Sequence, residues 1–336
     1  MSVITPIVPD TVSTPMAPAA PTARDPVPAW VLSEDKAGML SQALGLAEAA
    51  SLLPEVRLLR ARGFQRWLTP ALWWSPLRAI DPGRLAGPST EIVIGCGGMA
   101  GAALSALAGR ARTVIVQNPR RDPRKFDLVV ASSHDEIAGP NVLVTRTALH
   151  RVTPERLAAA ALEWAPRLAH LPRPLVAVLI GGSNGRLHLD GAVAEDLARQ
   201  LAEMIRRDRV GLIVTPSRRT GAAARETLDR TLRPLGAMVW DGAGENPYFG
   251  MLALADAIVV TSDSVSMVSE AVATRAPVLL APLPGQSRRG SLFLRPLVDA
   301  GRLRAFRGRL ELWPVEPIDD TPAAAAELRR RLGLDR

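Results

Sequence analysis

The 336 residues include one cysteine, Cys96, and four scattered histidines. A single cysteine excludes an internal disulfide framework and a cysteine-based zinc site, and it fits a reducing compartment, so a cytoplasmic setting is expected. No group of His, Cys and carboxylates has metal-ligand spacing, and neither a metal nor another cofactor is called for. Lysine is nearly absent beside arginine, which reflects coding bias and carries no functional weight. No stretch reaches the roughly 20 uninterrupted apolar residues of a membrane-spanning helix. Residues 1–28, rich in Pro, Ala, Thr and Val, lack the basic start and continuous apolar segment of a secretory signal and read as a disordered tail.

What is present describes an ordinary globular chain, 47% apolar and 22% charged, long enough for two domains that each bury a core. The net charge of +8 favours anionic partners, among which charge alone does not choose. From Trp30 onward short apolar runs alternate with longer amphipathic segments, the pattern of βα units feeding a parallel sheet. Strands are expected at Trp30–Leu32, Ile92–Ile94, Thr113–Val116, Phe126–Val130 and Val142–Val144, with helices at Gly38–Ala50 and Met99–Leu107. A further helix, Thr153–Ala169, has threonine as cap and Pro154 at its first position. Leu171-Pro172-Arg173-Pro174 then reads as a linker. The scheme repeats, with strands at Leu175–Ile180, Leu212–Val214, Ala237–Trp240, Ala257–Val260 and Val278–Leu280.

The expected organisation is therefore a first Rossmann-like domain over 29–170, a second over 171–318 and a terminal helix over 319–336 whose packing target is not readable. Two such domains place a ligand in the cleft at the carboxyl ends of both sheets.

Three polar segments follow strands of the second half. Gly181-Gly182-Ser183-Asn184-Gly185 offers backbone amides and a hydroxyl to an anion, or equally a turn that binds nothing. Ser217-Arg218-Arg219-Thr220 offers a forked guanidinium at a helix start. Asn246-Pro247 reads as a cap and first-turn pair for the helix leading to Ala257. After that strand, Thr261 to Glu270 combines a hydroxyl-rich helix start near Ser264 with a carboxylate four residues after Ser266, on the same face. A helix start aimed at phosphate and a carboxylate for two ribose hydroxyls make a nucleotide-diphosphate site. Capping by Asp263 or Ser264 is the plainer alternative for those two.

These motifs resemble the donor half of GT-B glycosyltransferases, including the lipid-intermediate N-acetylglucosaminyltransferase of peptidoglycan synthesis. Ser217 to Thr220, Asn246-Pro247-Tyr248 and Thr261 to Met267 together resemble the family of the plant elongated-mitochondria fission factor and its bacterial relatives, to which glycosyltransferase activity is attributed. The resemblance covers about Trp30 to Pro284. It implies a GT-B-like α/β fold of two facing domains and a nucleotide-sugar donor contacted by Gly181, Gly182, Ser183, Asn184, Arg218, Asn246, Asp263, Ser264, Ser266, Met267 and Glu270. In such a fold the catalytic base comes from the first domain, where the candidates are Asp35, His134 and Asp135; His134-Asp135 reads equally as a surface turn.

Gly95-Cys96-Gly97-Gly98-Met99-Ala100-Gly101 lacks the acidic ribose ligand of a dinucleotide fingerprint and reads as a tight turn on the acceptor side, with Cys96 packed. Arg60 to Arg78 interleaves Phe64, Trp67, Leu68, Leu72, Trp73 and Trp74 with arginines, which suits either an anionic bilayer surface or buried tryptophans. The leading expectation is a cytoplasmic glycosyltransferase, peripheral on the inner face of the cell membrane, acting on a cell-envelope lipid or saccharide without nucleic acid. A non-catalytic scaffold in membrane remodelling and a sugar-nucleotide epimerase are the alternatives.

Overall fold

The computed structural model describes residues 27–87 and 90–335. All but the last two residues of the expected tail over 1–28 lie outside the described residues. The first domain holds β1 (Val27–Ser33), α1 (Ala37–Ala49), β2 (Leu52–Leu58), β3 (Ile92–Cys96), α2 (Gly98–Leu107), β4 (Arg112–Val116), β5 (Leu128–Ser132) and β6 (Val142–Thr145). Then come α3 (Pro154–Leu168), β7 (Leu175–Ile180), α4 (Gly191–Asp208), β8 (Gly211–Pro216), α5 (Ala222–Leu232), β9 (Met238–Val239) and α6 (Tyr248–Leu254). The chain closes with β10 (Ala257–Thr261), α7 (Val265–Val272), β11 (Val278–Ala281), α8 (Arg288–Asp299), β12 (Leu303–Ala305) and α9 (Thr321–Leu332).

The strands form two six-stranded sheets in which every pairing is parallel, ordered β2-β1-β3-β4-β5-β6 and β12-β11-β10-β7-β8-β9. Strand order reverses between β1 and β3 in one and between β7 and β10 in the other, and the crevice outside the carboxyl ends at such a reversal is where open α/β sheets bind ligands. Central strands β3, β5, β7, β8 and β10 are buried along their whole length. Parallel strands covered on both faces need that continuous apolar run.

Two strands escape the apolar-run reading. β2 carries Pro54, Glu55 and Arg57, which an edge strand tolerates because one of its sides lacks a partner. β12 has three residues and also lies at an edge.

The helix expected to end the first domain, α3, packs instead in the second: Val152, Trp164 and Leu168 share a core with Leu175, Ala177 and Met251. The crossing between domains thus runs through residues 146–153, upstream of the expected linker. The return crossing lies beside it. Asp320 accepts from the Arg146 guanidinium at 2.6 Å, and Thr321 Oγ1 accepts from the His150 amide at 3.3 Å. α1 lies close against this hinge, since a Cβ on Gly45 would sit 2.1 Å from the His150 carbonyl oxygen.

Beyond the hinge, α9 returns to the first domain, burying Ala324, Ala325, Leu328 and Leu332 against Leu46, Ala47 and Val130. Leu328 and Leu332 each contribute about 1.5–3 kcal/mol by leaving water.

Candidate functional site

At the second reversal point, β7 ends in Gly181-Gly182 and β10 ends beside Asp263. The Asp263 carboxylate is buried and accepts from the Gly182 amide at 2.9 Å, the Thr261 hydroxyl at 2.7 Å and Arg219 Nη2 at 2.8 Å. A Cβ on Gly181 would lie 2.2 Å from both Asp263 oxygens, and one on Gly182 would lie 2.2 Å from the Arg219 carbonyl oxygen. The glycines at 181 and 182 are therefore required by protein atoms, and the Gly182 amide is spent on a carboxylate. Ser183 Oγ accepts from the Leu189 amide at 2.9 Å, and Asn184 Oδ1 closes the loop by accepting from Leu187 N at 3.0 Å.

Ser264 is the N-cap of α7, its hydroxyl accepting from the Met267 amide at 3.4 Å. Asp263 is not a cap. Glu270, buried on α7, accepts from Ser41 Oγ at 3.1 Å and from the Tyr248 hydroxyl. Burial raises its pKa, against which those two bonds work. The same burial and the facing carboxylate push the Tyr248 phenol well up, so the phenol is the donor in this pair. Ser266 Oγ accepts from Gln42 Nε2 at 3.4 Å. Asn246 is exposed, and Pro247 takes the cap position before α6, one residue later than expected; Asn246 Oδ1 accepts from the Tyr248 amide at 3.1 Å.

Across the cleft, at the first reversal point, a cavity of about 710 Å³ opens at the carboxyl edge of the first sheet. Glu34, Lys36, Arg66, Trp73, Gly98, Met99, Arg120, His134, Asp135 and Arg289 are among its lining residues. Gly97, with φ of +93°, makes the turn from β3 into α2, and Glu34 Oε1 accepts from the Met99 amide at 3.4 Å. Cys96 is buried in the core, where burial pushes its thiol far up and leaves it unreactive.

The three candidate bases separate. Asp35 is exposed and pairs with Arg218. Asp135 is buried in a capping box with Ser132 and pairs with Arg289 of α8. His134 stacks edge-on against Phe293 at 5.5 Å, and burial lowers its pKa. The last two form the seam between domains. Sequence reasoning passed over Ser41, Gln42, Glu34 and Arg289; the available signal was Gly38 and Ser41 three apart, two small side chains on one helix face.

Among the described residues, no group of His, Cys and carboxylates could hold a metal ion, and no helix is long and apolar enough to cross a membrane.

The whole span from 37 to 332, which contains every element above except β1, matches the family model described as Mitochondrial fission ELM1. The chain belongs to the mitochondrial fission ELM1 family. Mitochondrial fission protein ELM1 of Arabidopsis thaliana is 31% identical over 247 residues, 65% of this chain and 57% of the plant protein. The chain thus spans under three fifths of that ELM1's length. Among solved structures, UDP-N-acetylglucosamine 2-epimerase from Rickettsia bellii matches with TM-score 0.55 and 12% identity over 92% of this chain and 96% of its own. UGT71G1 from Medicago truncatula, complexed with UDP-glucose, matches with TM-score 0.51 and 11% identity over 90% and 89%. At such identities the likeness is one of fold, and this ELM1-family chain has the GT-B arrangement of two facing Rossmann-like domains.

Proposed function

We propose that this GT-B scaffold transfers a sugar from a nucleotide-diphosphate-sugar donor to a cell-envelope lipid or saccharide acceptor. The observation that carries the reading is Glu270, a buried carboxylate on α7, a helix whose capped start lies where the second sheet reverses order. In this reading the diphosphate lies at the first turn of α7 with Arg218 beside it, and the ribose diol takes Glu270. The sugar points toward the cavity at the first sheet. The acceptor hydroxyl attacks the anomeric carbon while the bond to the diphosphate breaks, and a base takes the hydroxyl proton. His134 suits that task among the candidates, since its lowered pKa keeps the imidazole neutral at neutral pH. Helix amides and arginine stabilise the departing diphosphate without a metal.

Exposed Phe64, Trp67, Leu72 and Trp74, with Arg62 just before them and Arg66 among them, suit attachment to the inner face of an anionic membrane, where a lipid-linked acceptor resides. The segment that exposes them also lines the cavity through Arg66 and Trp73.

A second reading, a non-catalytic scaffold in membrane remodelling, is favoured by one observation: Glu270 already has both oxygens bonded by the protein. Calorimetric titration with nucleoside diphosphates and their sugars separates the two. The transferase reading expects binding that Glu270→Ala and Arg218→Ala each abolish. Silence from the whole panel leaves the scaffold, whereas an epimerised donor formed without acceptor points to the epimerase.

A further inference from the structure

The two bonds on Glu270 come from different domains. Tyr248 opens α6 in the second domain, whereas Ser41 lies on α1 in the first, 229 residues from Glu270 in sequence. Together they give the carboxylate one O–H per oxygen, as a vicinal diol would. Around this pair α1 runs flush against the first turn of α7. Gln42 Nε2 is held by the Gly38 carbonyl at 3.1 Å and reaches Ser266 Oγ at 3.4 Å, while Gln42 Oε1 accepts from Gln117 Nε2 at 3.3 Å. A Cβ on Gly38 would lie 2.6 Å from Ser266 Oγ. The bare backbone at Gly38 lets the two helices come this close without displacing the Ser266 hydroxyl, and the approach sets α1 beside the first turn of α7.

We infer that α1 acts as an intramolecular latch, with Ser41 seated on the ribose carboxylate Glu270 and Gln42 on Ser266, so that a nucleoside diphosphate enters only when α1 and α7 part. The inference rests on the donor reading of Glu270 given above. Ser41 and the ligand then compete for one acceptor, and the apparent affinity is the intrinsic affinity scaled by the fraction of molecules with the latch open. Further cross-domain pairs, among them Asp35 with Arg218, Asp135 with Arg289 and Glu136 with Arg288, support closure without touching Glu270.

The test is calorimetric titration of the full chain with UDP, GDP and ADP in turn, for wild type, Ser41→Ala, Gly38→Val and Glu270→Ala. Ser41→Ala is expected to bind the preferred nucleotide about ten-fold tighter than wild type, the order of effect for removing one hydrogen bond to a carboxylate from the closed state. Gly38→Val, which forces α1 off Ser266, should gain affinity as well, and Glu270→Ala should bind none. A purely structural Ser41 produces no gain. Equal or weaker binding by a folded Ser41→Ala overturns the latch while leaving the donor reading in place. If wild type, Ser41→Ala and Gly38→Val all ignore the three nucleotides, the donor reading falls and the latch with it.

Discussion

Asp35 and Arg218 meet across the cleft, Oδ1 of the first-domain carboxylate lying 3.2 Å from Nη1 of the second-domain guanidinium, with 74% and 64% of the side chains exposed. A pair so open to water contributes about 0–1 kcal/mol and is readily exchanged for a stronger anion. Asp35→Asn should therefore leave the melting temperature nearly unchanged and tighten nucleotide binding a few-fold at low salt. The gain should vanish near 1 M salt, where the screening length is about 3 Å. A gain that survives such salt would mean that Asp35 acts on binding by some other route than Arg218.

Asp263 behaves differently because its carboxylate is buried. Asp263→Ala strands the Gly182 amide, the Thr261 hydroxyl and Arg219. Breaking a buried pair costs about 3–5 kcal/mol, and Arg219 at 43% exposure recovers part of that from water, leaving a loss on the order of 2–4 kcal/mol. Chemical denaturation measures it; a loss near zero would show that the glycine loop does not depend on this carboxylate.

Trp73 and Trp74 are neighbours in sequence with opposite fates. Trp73 is 3% exposed and donates from Nε1 to the Gln65 carbonyl at 2.7 Å, whereas Trp74 is 66% exposed. Trp73→Ala should cost about 3–5 kcal/mol. Trp67→Glu with Trp74→Glu should leave the melting temperature unchanged and abolish sedimentation with vesicles rich in anionic phospholipid. Sedimentation of the double variant at wild-type levels would remove the membrane role of this patch.

The hinge carries a pH dependence. His150 is buried where the two crossings run side by side, and burial lowers its pKa although Asp319 lies 3.3 Å from Nε2. The unfolded chain takes up a proton near pH 6.5 while the fold resists, so the unfolded state binds more protons below that pH. The stability is complete above about 6.5 and is lost as pH falls through the folded value. Glu270 works in the opposite sense, since its raised pKa makes the fold bind more protons as pH drops toward the ordinary carboxylate range. Comparison with His150→Gln isolates the first effect. Between about pH 7.5 and 5 the wild-type melting temperature should fall relative to the variant, and parallel curves would refute it.

Much of the fold was legible because its signals are local. Thr153 does cap α3, its hydroxyl accepting from the Arg156 amide at 3.2 Å, and Ser264 does cap α7. Such bonds span one helical turn, so a short window of sequence contains both partners. β2 was not legible, since an edge strand needs only half the apolar cover of a central one.

The sequence by itself determined the alternation of strands and helices, the helix starts and the gathering of Arg218, Ser264, Ser266 and Glu270 near strand ends, all consequences of periodicity and capping. Only the tertiary structure decided that Glu270 faces Ser41, that α3 joins the second core and α9 the first, and that Trp73 is buried while Trp74 is exposed. Burial and long-range pairing depend on which surfaces meet when two domains close, and a residue's own neighbours in the chain carry no record of that meeting.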